Sequence, residues 1–316
     1  MIVLVTGAGG VMGQRLVKGL VDRGFRVRCL VLPGDPSGRE LTRAGAEIRE
    51  GNLEQPSTLA GLCDGVDTVY HLAAVIVSHD PDVFRRVNLE GTAHVVAAAR
   101  QAAVRHFIYV SSASVTYPRR TPYAESKLSA ERLVTQETSF EHTIVRPTLV
   151  YDAVGGLEFA MFRSYLERFP VVPFIGEGSA LKRPVWAGDV VDGLLRLAGN
   201  PKAFGKLYNF SGAEPISILE LSRLILKHRG TSRPFLHVPV PVCSALARGA
   251  RLVMKKPPLT ESVIAGIVND ADLDPAQACE DLGYHPLGVR DGFARLFPLS
   301  ETPQPAASLE PQPRGN

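Results

Sequence analysis

The 316-residue sequence has few cysteines, one tryptophan and little net charge. Its cysteines, Cys29, Cys63, Cys243 and Cys279, lack the spacing of a metal site or redox motif, so we expect reduced thiols of a cytoplasmic protein. A formal charge of +3, without a basic stripe interleaved with aromatic residues, argues against a nucleic-acid partner. No apolar run reaches the length of about 18 residues that a membrane-spanning helix needs, so no integral membrane segment is expected. Met1 leads directly into a strand pattern, which argues against a cleaved signal peptide.

The most informative segment that is present is a strand, a glycine-rich turn and a helix at the amino terminus. An apolar strand pattern at 2–5 runs into Thr6-Gly7-Ala8-Gly9-Gly10-Val11-Met12-Gly13 and then into a helix-like run at 14–20. The glycines at 7, 10 and 13 suit a tight turn, a close approach of the backbone to a pyrophosphate, and close packing of helix on strand. The free N–H groups of the helix would face the phosphates. The segment therefore predicts a dinucleotide-binding site.

Strand and helix patterns alternate along the first half of the chain. Alternation of this kind predicts parallel strands joined by right-handed crossovers, and hence an α/β fold with a doubly wound parallel-sheet Rossmann domain. Ligands of such sheets bind beyond the carboxyl ends of the strands, where the winding direction reverses. The strands are predicted at 2–5, 27–31, 47–49, 68–72, 106–111 and 143–147, and the helices at 12–23, 56–63, 82–103 and 122–137.

The pattern changes after about residue 152. We predict a Rossmann domain from 1–152 and about 186–212, and a smaller mixed α/β substrate domain from about 153–185 and 213–299. The segment 300–316 is rich in Pro, Gln and Ser and is predicted to be a disordered tail. A basic amphipathic stretch at 236–256 is expected to be a substrate-domain helix with a solvated face, with binding to a membrane surface as the alternative.

A tyrosine and a lysine four residues apart form the candidate catalytic pair. Tyr123 and Lys127 fall in the helix pattern after the fifth strand, one turn apart on the same face. A free phenol titrates near ~10, and a neighbouring ammonium together with a positive nicotinamide ring would lower that pKa. Ser111, Ser112 and Ser114 cluster where the fifth strand ends, and a hydroxyl there could hold a substrate oxygen. The pattern predicts transfer of a hydride and a proton.

These motifs, in this order, resemble the extended short-chain dehydrogenase/reductases, the NAD-dependent epimerase/dehydratase family. The resemblance extends to about residue 298, and the Ser-Ser-Ala-Ser-Val text from Ser111 is similar to the 3-beta-hydroxysteroid and sterol dehydrogenase branch. Further segments that carry it are Asp67 to Ala74, Val87 to Thr92, Arg146 to Tyr151, Asp189, and Leu207 to Asn209.

The resemblance implies roles for individual side chains. Tyr123 would be the general acid/base, and Lys127 would lower its pKa and contact the ribose. Counting back from Tyr117 places the family's usual Ser or Thr on Ala113, whereas counting forward along the strand places it on Ser112. Ser112 is therefore favoured as the donor of a hydrogen bond to the reacting oxygen, with Ser114 as the runner-up. Ser114, Thr148 and Arg183 are the candidate substrate contacts. Arg183 fits either a phosphate ligand or a structural salt bridge, and no metal ligand is expected.

The resemblance also implies the cofactor contacts. Relatives carry an acidic residue at the end of the second strand for NAD or a basic one for NADP, but here Val31 and Leu32 stand there, which favours NAD slightly and leaves NADP open. Asn88 is expected to be structural. The expected cofactor-binding residues are Gly7, Gly9, Gly10, Val11, Met12, Gly13, Leu32, Asn52, Leu53, Leu72, Ala73, Ala74, Ser111, Tyr123, Lys127 and Pro147.

The residues beside the serines limit which reactions of the family are expected. Dehydratases of this family place an Asp-Glu pair where this chain has Ala113 and Ser114, so elimination of water is disfavoured. An epimerase acting on a nucleotide sugar is the first expectation. A reductase or dehydrogenase of a hydrophobic, steroid-like hydroxy or keto compound is the alternative, and a non-catalytic dinucleotide-binding protein is the third. Relatives suggest a homodimer through the helices that include the Tyr–Lys helix.

Overall fold

A seven-stranded parallel sheet forms the centre of the molecule. The structure is a computed structural model that describes residues 1–153, 156–254 and 257–297, and the predicted tail lies outside these ranges. The strands are β1 Ile2–Thr6, β2 Arg26–Val31, β3 Glu47–Glu50, β4 Thr68–His71, β5 His106–Val110, β6 Glu141–Pro147, β7 Val150–Tyr151, β8 Val172–Ile175, β9 Leu181–Lys182, β10 Val185–Trp186, β11 Lys206–Phe210, β12 Ile216–Ser217 and β13 Phe235–Val238.

Helices cover both faces of this sheet. The helices are α1 Val11–Asp22, α2 Ser37–Arg43, α3 Gly91–Gln101, α4 Pro122–Gln136, α5 Leu157–Arg168, α6 Ala187–Leu195, α7 Ile218–His228, α8 Val240–Val253, α9 Glu261–Val268, α10 Ala276–Leu282 and α11 Val289–Leu296. One apolar core lies between the sheet and α1 and α6, and a second lies between the sheet and α3 and α4. Because the inner strands are covered on both faces, they are largely apolar, whereas the edge strand β3 is polar and mostly exposed.

The strand order is β11-β6-β5-β4-β1-β2-β3, and every pairing in this sheet is parallel. β1 leads on one side to β2 and on the other to β4, so the winding reverses between β1 and β4. The predicted doubly wound sheet is confirmed. The crevice at the carboxyl ends of β1 and β4 is therefore where a dinucleotide is expected.

Two predicted helices differ in the structure. Only a 3₁₀ turn, Pro56–Leu59, forms in the segment predicted as a helix at 56–63. The helix predicted at 82–103 is divided into a π-helix, Phe84–Glu90, and α3. The buried Asn88 lies in the π-helical part and accepts from the backbone N–H of Val75 at 2.8 Å and donates to its carbonyl at 2.9 Å. A widened turn at that point fits a side chain that must reach a neighbouring loop.

The remaining elements form their own apolar clusters beside the sheet. β8 and β13 pair in parallel, and the cluster around them draws on α5, α7 and α11, including the buried rings of Phe159, Phe174 and Phe293. Helix α11 approaches Tyr151 so closely that a Cβ added at Gly292 would lie 1.8 Å from the tyrosine oxygen. The domain boundaries themselves stay a prediction. Within the described ranges, no helix combines the length and the apolar character needed to cross a bilayer.

Candidate active site

The glycine turn brings the ends of β1 and β4 into contact. Gly7 has a φ of +70°, which favours glycine, and a Cβ there would lie 2.7 Å from the backbone nitrogen of Ala73. A Cβ on Gly13 would lie 2.2 Å from the carbonyl oxygen of Gly7. Both glycines are therefore needed by the protein itself, since no side chain fits between these backbones.

The amino terminus of α1 forms the floor of this crevice. Gly10 precedes the helix in an extended conformation, and its first turn carries no acidic residue. The free N–H groups there, together with the helix dipole, favour an anion such as a pyrophosphate. Gln14 braces the turn by donating to the carbonyl of Gly9 at 2.9 Å.

Two residues beside the turn were missed by the sequence reasoning. A Cβ on Gly9 would lie 2.5 Å from the hydroxyl of Ser37 and 3.3 Å from the carboxylate of Asp35. Asp35 accepts from the backbone N–H of Ser37 at 2.9 Å, while the buried Ser37 hydroxyl has no hydrogen-bond partner within the described chain. The carboxylate that relatives carry at the end of the second strand has a candidate counterpart here in Asp35, three residues after Leu32. The signal was the Gly-Asp-Pro-Ser text that follows the second strand.

The other predicted cofactor-binding residues differ in their exposure and in their contacts within the protein. Leu32 is exposed at the end of β2, and Leu72 to Ala74 continue β4 along the glycine turn. Leu53 is buried in the core against Gly91, and Asn52 accepts from the backbone of Glu54, so both have structural contacts. Ser111 at the end of β5 is buried, and its hydroxyl has no partner in the described residues.

A chain of hydrogen bonds through His71 connects the elements that form the crevice. His71, at the end of β4, is hydrogen-bonded through Nδ1 to the Thr6 hydroxyl at 2.7 Å and through Nε2 to the Thr92 hydroxyl at 2.9 Å. Burial, with a smaller contribution from the Lys127 ammonium, lowers the pKa of His71 to about 3. The ring is therefore neutral at physiological pH and acts as a fixed connector between β1, β4 and α3.

Helix α4 positions the catalytic pair. The Thr121 hydroxyl accepts from the backbone N–H of Ala124 at 3.2 Å, and Pro122 occupies the first helical position, so the helix begins just before Tyr123. Lys127 follows one turn later. Its ammonium donates to the carbonyl of Val110 at 2.7 Å and lies 4.3 Å from the centroid of the Tyr109 ring.

The ionisation of both groups is perturbed by burial. Desolvation lowers the pKa of Lys127 to about 7, although the Glu131 carboxylate opposes this. Desolvation raises the pKa of the Tyr123 phenol above its ordinary value, the Glu158 carboxylate raises it further, and the nearby Ser112 hydroxyl lowers it. The Tyr123 phenol therefore stays protonated at neutral pH in the absence of an added positive charge.

Two of the serines at the end of β5 are hydrogen-bonded to each other. The Ser112 hydroxyl accepts from the backbone N–H of Ser114 at 3.2 Å and lies 3.0 Å from the Ser114 hydroxyl. Ser112 caps the short 3₁₀ turn Ala113–Thr116, which contains Ser114. Ala113, between the two serines, is buried. The Ser112 hydroxyl lowers the pKa of the Tyr123 phenol and is hydrogen-bonded to Ser114, and its role toward a substrate stays a prediction.

Glu158 is a further residue that the sequence reasoning missed. It lies in the first turn of α5, and its carboxylate raises the pKa of both Tyr117 and Tyr123. The residue is solvent-exposed, yet desolvation by surrounding protein raises the pKa of its carboxyl, as for a side chain in the wall of an open cleft. No sequence spacing relates it to Tyr123, because only the fold of the later elements brings α5 to this position.

The predicted substrate contacts after β6 serve the structure. Pro147 ends β6 opposite Phe210 of β11. The Thr148 hydroxyl donates to the carbonyl of Arg183. The Arg183 guanidinium is paired with Asp272 and also donates to the carbonyl of Ala213 at 3.1 Å. These contacts match the structural salt bridge that was one of the two interpretations of Arg183.

The residues fit a dinucleotide in its expected position. The crevice combines the backbone turn that a side chain would fill, an unopposed helix amino terminus, and the partnerless buried hydroxyls of Ser37 and Ser111. Gly9, Gly10 and Gly13 would hold the pyrophosphate, Ser37 and Asp35 the adenosine side, and Lys127 and Tyr123 the nicotinamide side. When bound there, NAD accepts or donates a hydride. Among the described residues, no group of three or more His, Cys, Asp or Glu could hold a metal ion.

The comparison with family models decides the family. The NAD dependent epimerase/dehydratase family model matches residues 3–210. The chain belongs to this family. It is an NAD-dependent enzyme of the extended short-chain dehydrogenase/reductase type, as the order of its motifs predicted.

Three similar proteins illustrate the range of this family. The chain is 28% identical to a 3 beta-hydroxysteroid dehydrogenase/Delta 5→4-isomerase of Mycobacterium tuberculosis, covering 90% of this chain and 86% of that protein. It is 34% identical to a ceramide reductase of Caulobacter vibrioides over 56% of this chain and 55% of that protein. The UDP-glucose 4-epimerase of Thermus thermophilus, in complex with NAD, superposes with a TM-score of 0.72 at 21% identity and covers 94% and 97% of the two chains.

The buried lysine makes a prediction about stability. Because burial lowers the pKa of Lys127 from 10.5 to about 7, the unfolded chain binds more protons than the folded chain between these values. Stability therefore rises with pH across this window. We expect Lys127→Met to raise the free energy of unfolding by about 1–2 kcal/mol at pH 7 and by much less at pH 10, as measured by urea denaturation.

The exposed Lys18 of α1 provides the matched control, since Lys18→Met removes an ammonium that is not desolvated. A Lys127→Met variant that changes stability equally at both pH values would contradict the assigned penalty.

Proposed function

We propose that this enzyme is a dehydrogenase or reductase that transfers a hydride at a secondary alcohol or ketone of a hydrophobic molecule. The observation that carries the proposal is the apolar face of α5 beside Glu158. Leu157 and Met161 lie one turn apart on this helix and expose 53% and 46% of their surfaces. Glu158 lies between them in sequence, and its carboxylate raises the pKa of the Tyr123 phenol, which supports a position of this end of α5 near the proposed site. An apolar substrate would cover this apolar face.

The pairing of Arg183 also supports a hydrophobic substrate rather than a nucleotide sugar. A nucleotide sugar brings a diphosphate that needs free cations, but the Arg183 guanidinium is already paired with Asp272. The similar steroid dehydrogenase and ceramide reductase also carry lipid-like substrates in their names. The likeness to the UDP-glucose 4-epimerase supports the fold alone.

The chain's own groups would move the proton. In ketone reduction the Tyr123 hydroxyl gives its proton to the carbonyl oxygen while the Ser112 hydroxyl donates a hydrogen bond to the same oxygen. The Lys127 ammonium then stabilises the phenolate that remains. In alcohol oxidation the same groups act in reverse. The reaction needs only this proton transfer and the transfer of one hydride, so it requires no acidic residue besides Tyr123.

A substrate panel tests the proposal. Purified enzyme with NAD or NADP is given 3-hydroxysteroids, long-chain 3-hydroxy and 3-oxo lipids, and UDP-sugars, and the nicotinamide absorbance is followed. We expect net oxidation or reduction with the hydrophobic compounds and no conversion of the UDP-sugars, which chromatography checks. Interconversion of a UDP-sugar pair without a net absorbance change would instead favour the epimerase alternative.

The homodimer also remains a proposal. A groove of about 580 Å³ lies between α3 and α4 and is lined partly by Leu89, Ala93, Ala97 and Leu133. Small side chains on two adjacent helices allow a second pair of helices to approach closely. This groove supports the expected dimerisation through the helix that carries Tyr123 and Lys127.

A further inference from the structure

Helix α8 has two apolar faces, and the described part of the chain covers one of them. Cys243 and Ala247 are buried in a small cluster with Ile175 and Ile264. On the other face, Val242, Leu246 and Val253 expose 47%, 59% and 84% of their surfaces. Together with Gly249 they follow one another at spacings of four, three and four residues, so they form one continuous stripe.

The segment that carries this stripe is strongly basic. Residues 221–260 contain no Asp or Glu and eight Lys or Arg. The remaining 27 Lys and Arg of the chain face 32 Asp and Glu, so the rest of the protein is net acidic. Arg248 is on α8 itself, and 73% of its side chain is exposed. The carboxylate of Glu261 approaches the guanidinium only to 3.9 Å. Helix α8 itself contains two basic residues, Arg248 and Arg251, and no acidic residue, so the charge of the helix that carries the stripe is positive.

Helix α8 is also connected, through α9, to the turn that contains Ser112. It packs on α9, and a cavity of about 490 Å³ lies at its amino-terminal end, lined by the loop 176–180, the segment 237–241 and the end of α9. The segment that follows α9 places Ala271 and Leu273 against Ala113 and Tyr117, next to Ser112. The helix that carries the exposed stripe is thus linked to the Ser112 turn through α9 and the segment that follows it.

We propose that the outward face of α8 binds the surface of an anionic phospholipid bilayer. An amphipathic helix with an apolar stripe and flanking cations lies in the interfacial plane, where acyl chains cover the stripe and anionic headgroups meet the cations. A second copy of the chain fits this surface less well. A twofold contact through α8 would set two segments of the same positive charge against each other.

Vesicle co-sedimentation of the full chain tests the proposal. We expect binding to vesicles of phosphatidylcholine with phosphatidylglycerol, weak binding to phosphatidylcholine alone, and loss of binding as salt is raised. Leu246→Ser combined with Val253→Ser should weaken the affinity tenfold or more, and Arg248→Glu should weaken it severalfold. Thermal unfolding and NAD binding should remain those of the parent protein.

Two variants elsewhere serve as matched controls. Val171→Ser removes an exposed apolar side chain outside α8, and Arg26→Glu reverses an exposed charge at the start of β2. Both should leave vesicle binding unchanged. The proposal is overturned if the parent chain does not bind anionic vesicles, or if these controls weaken binding as much as the α8 variants. It is also overturned if light scattering shows a dimer that Leu246→Ser dissociates. None of these results bears on the substrate panel, so the two proposals fail separately.

Discussion

Tyr123→Phe is expected to lower kcat by about a thousandfold, because general acid/base catalysis contributes roughly 10²- to 10⁴-fold. The substitution removes only the phenolic oxygen. The ring stays in edge contact with Phe84, whose centroid lies 6.0 Å away, so the start of α4 is unchanged. NAD binding, measured by isothermal titration calorimetry, should change by less than about twofold, since the backbone turn and helix dipole bind the phosphates. Turnover is measured with the hydrophobic substrate that the panel identifies.

Tyr117→Phe is the matched control for this experiment. Tyr117 is also a tyrosine near Glu158, and burial raises the pKa of its phenol as well. It is not on the helix that carries Lys127, so its loss should leave kcat within a fewfold of the parent value. If Tyr123→Phe retained the parent's turnover, or if the two variants lost the same activity, the assigned proton donor would be wrong.

Gly13→Ala is expected to abolish NAD binding and to lower the stability of the whole protein. A Cβ at this position would lie 2.2 Å from the carbonyl oxygen of Gly7 and 2.8 Å from backbone atoms of Ala8. Backbone atoms cannot turn aside as a flexible side chain can, so α1 must move away from β1. Overpacking of this kind costs about 3 kcal/mol. Thermal unfolding and calorimetry with NAD would measure both losses.

Gly10→Ala separates the two functions of the turn. A Cβ on Gly10 would lie 3.4 Å from the Gly7 carbonyl, which is ordinary contact, so the fold should tolerate it. The added methyl would instead occupy space at the helix amino terminus where the pyrophosphate binds. We expect parent-like thermal stability with NAD affinity reduced about tenfold or more, by loss of ~1.4 kcal/mol. Equal effects of Gly10→Ala and Gly13→Ala on stability would contradict the distinction between packing and ligand space.

Local patterns were sufficient to predict the parts of the site that depend on short-range geometry. The glycine spacing from Gly7 to Gly13 indicates a turn in which two backbone segments pack too closely for side chains. The four-residue spacing of Tyr123 and Lys127 indicates that both lie on one face of a helix. The doubly wound sheet followed from the alternation of strand and helix patterns, since the inner strands are buried on both faces and largely apolar. These features need no knowledge of distant contacts.

The remaining features depend on contacts between distant segments. Ser37 reaches the glycine turn because α2, a seven-residue helix preceded by a turn-like text, folds over Gly9. Glu158 reaches Tyr123 because α5 packs with α7 and α11 beside the sheet. Arg28 of β2 is buried and donates to Glu47 and to the carbonyls of Leu62 and Asp64. Burial of this kind cannot be read from the residue type.

The hydrogen-bond chain through His71 has a kinetic consequence. Because Thr6, His71 and Thr92 already hold both sides of the crevice, the dinucleotide meets a surface that needs little ordering on arrival. Binding to a preorganised surface avoids the entropic cost of fixing loops. NAD should therefore associate in a single fast phase whose rate rises linearly with its concentration, without a slow isomerisation step.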